Sequence, residues 1–144
     1  MEKRKKILII DDNDSLREML SYALRLSGYG VETACDGLSG LQKLEADSFD
    51  LLITDNHMPR MGGLELIEEI YSRNMDIKIL FISGELTKEV EERAKGKGVL
   101  DCLAKPFSLD LLGEVVSKVL EGKEGLYRQS NFEHHPQLLE SAAL

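Results

Sequence analysis

The sequence predicts an α/β domain: a doubly wound parallel sheet built from five βα units. Apolar runs recur along the chain, at Ile7-Leu8-Ile9-Ile10, Leu51-Leu52-Ile53-Thr54, Ile79-Leu80-Phe81-Ile82 and, more briefly, Leu103-Ala104. Runs without polar alternation belong to strands covered on both faces, as parallel strands between helices are. Stretches with helical apolar spacing alternate with them, which implies right-handed crossovers onto both faces of one sheet. Each run also ends in polar residues at its carboxyl end: Asp11-Asp12, Asp55, Ser83-Gly84 and Lys105-Pro106. Open α/β sheets bind their ligands along that edge.

The elements follow in order. After the first strand, Asp14 or Ser15 can cap a helix whose apolar face includes Leu16, Met19, Leu20, Ala23 and Leu24. Ser27-Gly28 stops it, with Gly28 suited to a left-handed C-terminal position. Val31-Glu32-Thr33-Ala34 is a short strand, and Gly37 to Ala46 reads as helix through Leu38, Leu41 and Leu44. The strand before Asp55 leads into a loop of turn formers, His57-Met58-Pro59-Arg60-Met61-Gly62-Gly63. A helix from Leu64 to about Ser72 turns Leu66, Ile67 and Ile70 inward. The Ile79 strand follows, then a charged helix from Thr87 to about Lys95 and a strand from Leu100 to Ala104. A last helix, Ser108 to about Leu120, buries Leu111, Leu112, Val115, Val116 and Val119.

These units make residues 1–121 the expected domain. Residues 122–144 form a short extension, expected to be flexible, that opens on the linker-like Gly122-Lys123-Glu124-Gly125. Leu138, Leu139 and Ala142-Ala143-Leu144 suffice for a short amphipathic turn and not for a DNA-binding domain. His134-His135 lacks further ligands at metal spacing.

A length of 144 residues with 42% hydrophobic and 31% charged residues suits one globular core. The net charge of −8 opposes direct binding to DNA or to an anionic membrane. The basic start, Lys3-Arg4-Lys5-Lys6, reads as a solvated entry to the first strand, because Ile7 begins that strand at once. The aspartates interrupt the apolar run after four residues, short of the roughly 7–15 of a signal peptide. No segment approaches the roughly 20 apolar residues of a membrane span. Cys35 and Cys102 stand in no metal or redox spacing and read as buried, reduced thiols, so a cytoplasmic location is expected.

Three carboxylates brought to one sheet edge need shifted pKa values or a cation. Mg²⁺ is the natural partner of Asp11, Asp12 and Asp55, since it takes carboxylate oxygens, keeps waters and bridges to phosphate. Asp55, at the end of an apolar strand, is the candidate nucleophile for an acyl phosphate. Lys105 would supply a second positive charge and Ser83 a hydrogen bond to a phosphoryl oxygen. A cis Lys105-Pro106 bond would turn the lysine inward.

Taken together, Asp11-Asp12, Asp55 with Met58-Pro59 and Gly62-Gly63, Ser83-Gly84 and Lys105-Pro106-Phe107 resemble the receiver domain of two-component response regulators. The resemblance covers about Lys5 to Leu120. It implies a flavodoxin-like (βα)5 fold with strand order 2-1-3-4-5, phosphorylated on aspartate by a histidine kinase or phosphotransfer protein. Asp55 is then the phosphoacceptor. Asp12, Asp55 and the His57 backbone carbonyl hold Mg²⁺ directly, Asp11 acts largely through water, and Ser83 and Lys105 contact the phosphoryl group. The family's output face implies an unidentified downstream protein target and a possible homodimer.

Two departures from the family pattern matter, one at Cys102 and one at the pair His57 and Glu85. Where receivers place Tyr or Phe as a rotating reporter, this chain has Cys102, so a swing of a large ring is unavailable at the output switch position. By the resemblance, His57 and Glu85 occupy positions that border the path of the hydrolytic water and tune phosphoryl lifetime; they pair across the pocket mouth, orient that water, or point into solvent.

The resulting expectation is a phosphorylation switch that signals by protein contact and has no independent enzyme activity. One alternative is a receiver that no longer takes phosphate and serves as a constitutive docking module; the full set of site residues opposes it. A phosphatase of the haloacid-dehalogenase type would need a second aspartate where His57 stands. A flavodoxin-like FMN binder would need a hydroxyl-rich phosphate loop that this chain lacks.

Overall fold

The computed structural model describes residues 4–121. The extension 122–144, including His134-His135 and the amphipathic segment, lies outside the described residues. Five strands and five helices alternate: β1 (Lys6–Ile10), α1 (Asp14–Leu26), β2 (Gly30–Ala34), α2 (Gly37–Ala46), β3 (Leu51–Asp55), α3 (Gly63–Ser72), β4 (Lys78–Ser83), α4 (Lys88–Lys95), β5 (Asp101–Ala104) and α5 (Leu109–Leu120). The strands form one parallel sheet in the order β2-β1-β3-β4-β5, the expected flavodoxin-like arrangement.

Alternation along each strand divides the core in two. Ile7, Ile9, Leu51, Ile53, Leu80, Ile82 and Leu103 pack with α1 and α5. Leu8, Ile10, Leu52, Ile79, Phe81 and Cys102 face the other way, toward α2, α3 and α4. Every inward residue expected of α3 and α5 is buried. No helix among the described residues is long and apolar enough to cross a membrane.

Some local expectations need correcting. The cap of α1 is Asn13, whose side chain accepts from the Leu16 N–H at 3.0 Å, so Asp14 and Ser15 already lie within the helix. Met19 is 44% exposed, because the face turned to the sheet runs through Leu16, Leu20, Ser21 and Leu24. Leu38 is also exposed; α2 meets the sheet through Gly37, Gly40, Leu41 and Leu44. Gly40 lies so close to Ile10 that a Cβ would come within 2.1 Å of its Cδ1, and that contact sets the rotation of α2. Gly28 ends α1 at φ +99°, as expected. Of the two free cysteines, Cys102 is buried but Cys35 is exposed, because it stands in the turn between β2 and α2.

Candidate functional site

Strand register assembles the site. Ile10 is paired with Thr54, Asp55 with Ile82, and Ser83 with Ala104. The residues at or just beyond these strand ends, Asp11, Asp55, Ser83 and Lys105, therefore share one edge of the sheet. The Lys105-Pro106 bond is cis.

Asp11 is fully buried, and its two carboxylate oxygens are divided between partners. Oδ1 accepts the Asn13 N–H at 2.9 Å, and Oδ2 accepts from Lys105 Nζ at 3.0 Å. Lys105 Nζ also stands 3.1 Å from Asp55 Oδ1, so one ammonium bridges two carboxylates. Asp55 is buried, and its Oδ2 receives the His57 N–H at 3.2 Å. Burial pushes the Asp55 carboxyl up from the usual carboxylate range, and the negative charge of Asp11 adds to this against the pull of Lys105. Burial opposes the charge on Lys105, yet its hydrogen bond to Asp11 and the nearby carboxylate charges hold its pKa above the usual lysine value.

Asp12 lies on the solvent side of this group. Oxygens of Asp11, Asp12 and Asp55 all come within 4.8 Å of one another. Opposite ligands of a small octahedral cation are about 4.2 Å apart, so slight closure of these side chains would surround one. The donor set is all hard oxygen, and three carboxylates face one ammonium. The cluster thus fits a divalent cation in both chemistry and spacing.

Ser83 is fully buried, and its Oγ accepts the Glu85 N–H at 3.1 Å. His57 Nε2 and Glu85 Oε1 lie 3.8 Å apart with both side chains well exposed. Cys102 lies apart from these groups, 1% exposed on the opposite side of β5 from Leu103, in the core beneath α4.

Several supporting residues carry no signal in the sequence pattern. Arg17 Nη1 donates to the Asp11 carbonyl at 2.6 Å and fixes the turn after β1. Asn56 closes the base of the loop after β3, its carbonyl accepting the Gly63 N–H at 2.9 Å. Arg60 and Asp36 join that loop to α2. Such contacts depend on loop paths that hydrophobic periodicity does not encode.

A sheet in this order, with an acidic cluster and a bridging lysine at its carboxyl edge, defines a class of signalling domain. The response regulator receiver domain family matches residues 7–117, and this chain belongs to that family, whose members act in two-component signalling. The chain is 34% identical over 119 residues to the sensor protein EvgS of Escherichia coli, covering 83% of this chain and 10% of that protein. It is 38% identical over 109 residues to the response regulator MprA of Mycobacterium avium, covering 74% of this chain and 47% of that one. The chain thus spans less than half the length of these curated relatives. Among solved structures, the Vibrio cholerae chemotaxis protein CheY4 superposes with a TM-score of 0.77 at 34% identity, over 81% of this chain and 99% of that one. A CheY-like receiver domain from Methanospirillum hungatei gives 0.76 at 30% identity, over 83% and 96%.

Proposed function

We propose that this chain is a phosphorylation switch that accepts a phosphoryl group on Asp55 from a histidine kinase or phosphotransfer protein. The observation that carries the reading is the single ammonium of Lys105 shared between the carboxylates of Asp55 and Asp11 at the sheet edge. Asp55 is the only one of the three aspartates that both ends a strand and faces the lysine.

Mg²⁺ is the cation this donor set suits: Asp12, Asp55 and the His57 carbonyl would hold it, with Asp11 acting largely through water. When bound it would neutralise charge on phosphoryl oxygens. The remaining chemistry belongs to the chain. An Asp55 carboxylate oxygen attacks phosphorus in line while the bond to the donor nitrogen breaks, and the departing imidazole takes a proton. Lys105 pairs with the new phosphoryl charge, and the Ser83 hydroxyl, which accepts from the Glu85 N–H, keeps its own hydrogen to donate. His57 and Glu85, paired at 3.8 Å with exposed side chains, would set how water reaches the acyl phosphate.

The added charge of about −1.5 to −2 shifts the domain between states that bind a protein target differently. We assign that contact to the face of α4 and β5, beneath which Cys102 takes the place of a mobile ring. Charge along α4 is mixed, with Lys88, Glu89, Glu91, Glu92, Arg93 and Lys95 in one short helix. A homodimer through this face, a cytoplasmic location and the absence of direct DNA contact belong to the same reading. Incubation with Mg²⁺ and acetyl phosphate tests it: the intact mass rises by one phosphoryl group, and Asp55→Ala shows no rise. No gain in the unaltered chain would favour a phosphate-independent docking module.

A further inference from the structure

We propose that Arg60 is a positioning residue for the acceptor loop. With Asp36 it forms a strut that ties the tip of the β3–α3 loop to the start of α2. The consequence for metal binding rests on the functional reading above; the strut itself rests on the geometry alone.

The loop runs from Asn56 to Gly62, and its base is closed by the Gly63 N–H on the Asn56 carbonyl. Its α3 end has no side-chain cap, because Gly62 stands at that position. Arg60 lies near the tip with φ +67°, in the left-handed region where a Cβ is unfavourable. A non-glycine residue persists there when its surroundings over-determine it, and here a forked set of hydrogen bonds does so. Arg60 Nε and Nη2 donate to Asp36 Oδ2 at 3.0 and 2.5 Å, and Nη2 also reaches Ser39 Oγ at 3.1 Å.

The receiving carboxylate is fixed from its other side. Asp36 caps α2, its Oδ1 accepting the Ser39 N–H at 2.8 Å, and its side chain is only 5% exposed. The Ser39 N–H and Arg60 hold the Asp36 carboxyl down to about 2, so the pair stays charged at every ordinary pH. Beside it, the Gly37 N–H donates to the Met61 carbonyl at 3.1 Å, and a Cβ at Gly37 would come within 2.3 Å of that oxygen. Backbone and side chain thus join the same two segments at adjacent points.

His57 lies three residues before Arg60 in this short loop, so freeing the tip loosens the segment that carries the His57 carbonyl. A lysine at position 60 would bring one point charge and lose the fork. Groups hydrogen-bonded directly to a metal ligand typically change affinity by about 10–100-fold. Arg60 acts one step further out, through the loop backbone, so its effect belongs at the low end of that range.

The test compares the unaltered chain with Arg60→Gly, Arg60→Lys, Asp36→Asn and the Arg60→Gly/Asp36→Asn pair. Glycine adopts the left-handed conformation freely, so Arg60→Gly removes the fork without straining the backbone. Asparagine at Asp36 keeps an oxygen to cap α2. Mg²⁺ affinity is measured by calorimetry, and amide hydrogen exchange at residues 57–61 is measured without metal. The expected result is about tenfold weaker Mg²⁺ binding in Arg60→Gly, at the low end of the outer-shell range. An intermediate value is expected for Arg60→Lys, and the double variant should be no weaker than the worse single one. Exchange at residues 57–61 should rise in Arg60→Gly before any metal is added. Unchanged exchange together with unchanged affinity would overturn the strut. Absence of Mg²⁺ binding by the unaltered chain would overturn the functional reading and the metal consequence, while exchange would still decide whether the strut exists.

Discussion

Lys105 Nζ stands 3.1 Å from Asp55 Oδ1 and 3.0 Å from Asp11 Oδ2, so a single ammonium spans the ends of β1 and β3. The lysine comes from the segment after β5, two strands away from β3 in the sheet. It makes the two carboxylates tolerable together and leaves Asp12, on the open side, to face whatever cation arrives.

The strain in this arrangement falls on Asp55. Its folded pKa is raised, chiefly by burial, so the folded chain holds that proton more tightly than the unfolded chain. Ionising Asp55 therefore costs stability, and the cost develops as pH rises from the ordinary carboxylate value of 3.8 through the raised folded value. Asp55→Asn should raise the metal-free Tm at pH 7, and the gain should vanish below about pH 3.8. A lower Tm at pH 7 would contradict this balance of charges.

Lys105→Met should act in the opposite sense. It leaves Asp11 and Asp55 facing each other without compensation, a loss of about 3 kcal/mol by analogy with broken buried pairs. The folded pKa of Lys105 is raised, so its stabilisation is fully present below the unfolded lysine value of 10.5 and is lost as pH rises through the higher folded value. Urea unfolding at pH 7 and pH 9 should give the same difference between Lys105→Met and the unaltered chain.

Metal should stabilise the domain by mass action. Mg²⁺ at a hundred times its dissociation constant adds about 2.7 kcal/mol, read as an upward shift in Tm. Asp12 is exposed, so Asp12→Ala should leave the metal-free Tm nearly unchanged and remove most of that shift. An equal shift in Asp12→Ala would place the ion elsewhere.

The sequence pattern carried the architecture because strands buried on both faces and amphipathic helices leave periodic signals. The polar strand ends carried the site for the same reason: once β1, β3, β4 and β5 are aligned, Asp11, Asp55, Ser83 and Lys105 must share an edge. Rotation of the helices was less legible. Met19 and Leu38 fit a helical stripe yet face outward: α1 meets the sheet through Leu16, Leu20, Ser21 and Leu24, and α2 is seated by the close approach of Gly40 to Ile10. Exposure of Cys35 follows from a turn that apolarity does not mark. The strut between Arg60 and Asp36 joins residues 24 apart in sequence through two loop conformations, and neither residue stands out until the loops are seen together.

One glycine of the acceptor loop is as necessary as the charged groups. A Cβ at Gly63 would lie 2.3 Å from the Asp55 carbonyl oxygen, and the colliding atom is backbone that cannot rotate away. Gly63→Ala should destabilise the domain by about 1–3 kcal/mol through this overlap and should displace the loop that follows Asp55. Thermal unfolding, together with amide chemical shifts of residues 55–63, checks both effects. Unchanged stability together with unchanged shifts would contradict the overlap at Gly63.

Asp55, and neither Asp11 nor Asp12, is the residue expected to take the phosphoryl group. Borohydride reduces an aspartyl phosphate to homoserine, so the chain is treated with Mg²⁺ and acetyl phosphate, reduced, digested and sequenced by mass spectrometry. Homoserine is expected at position 55 alone. Homoserine at position 11 or 12, or none at all in a chain whose intact mass had risen, would contradict this assignment.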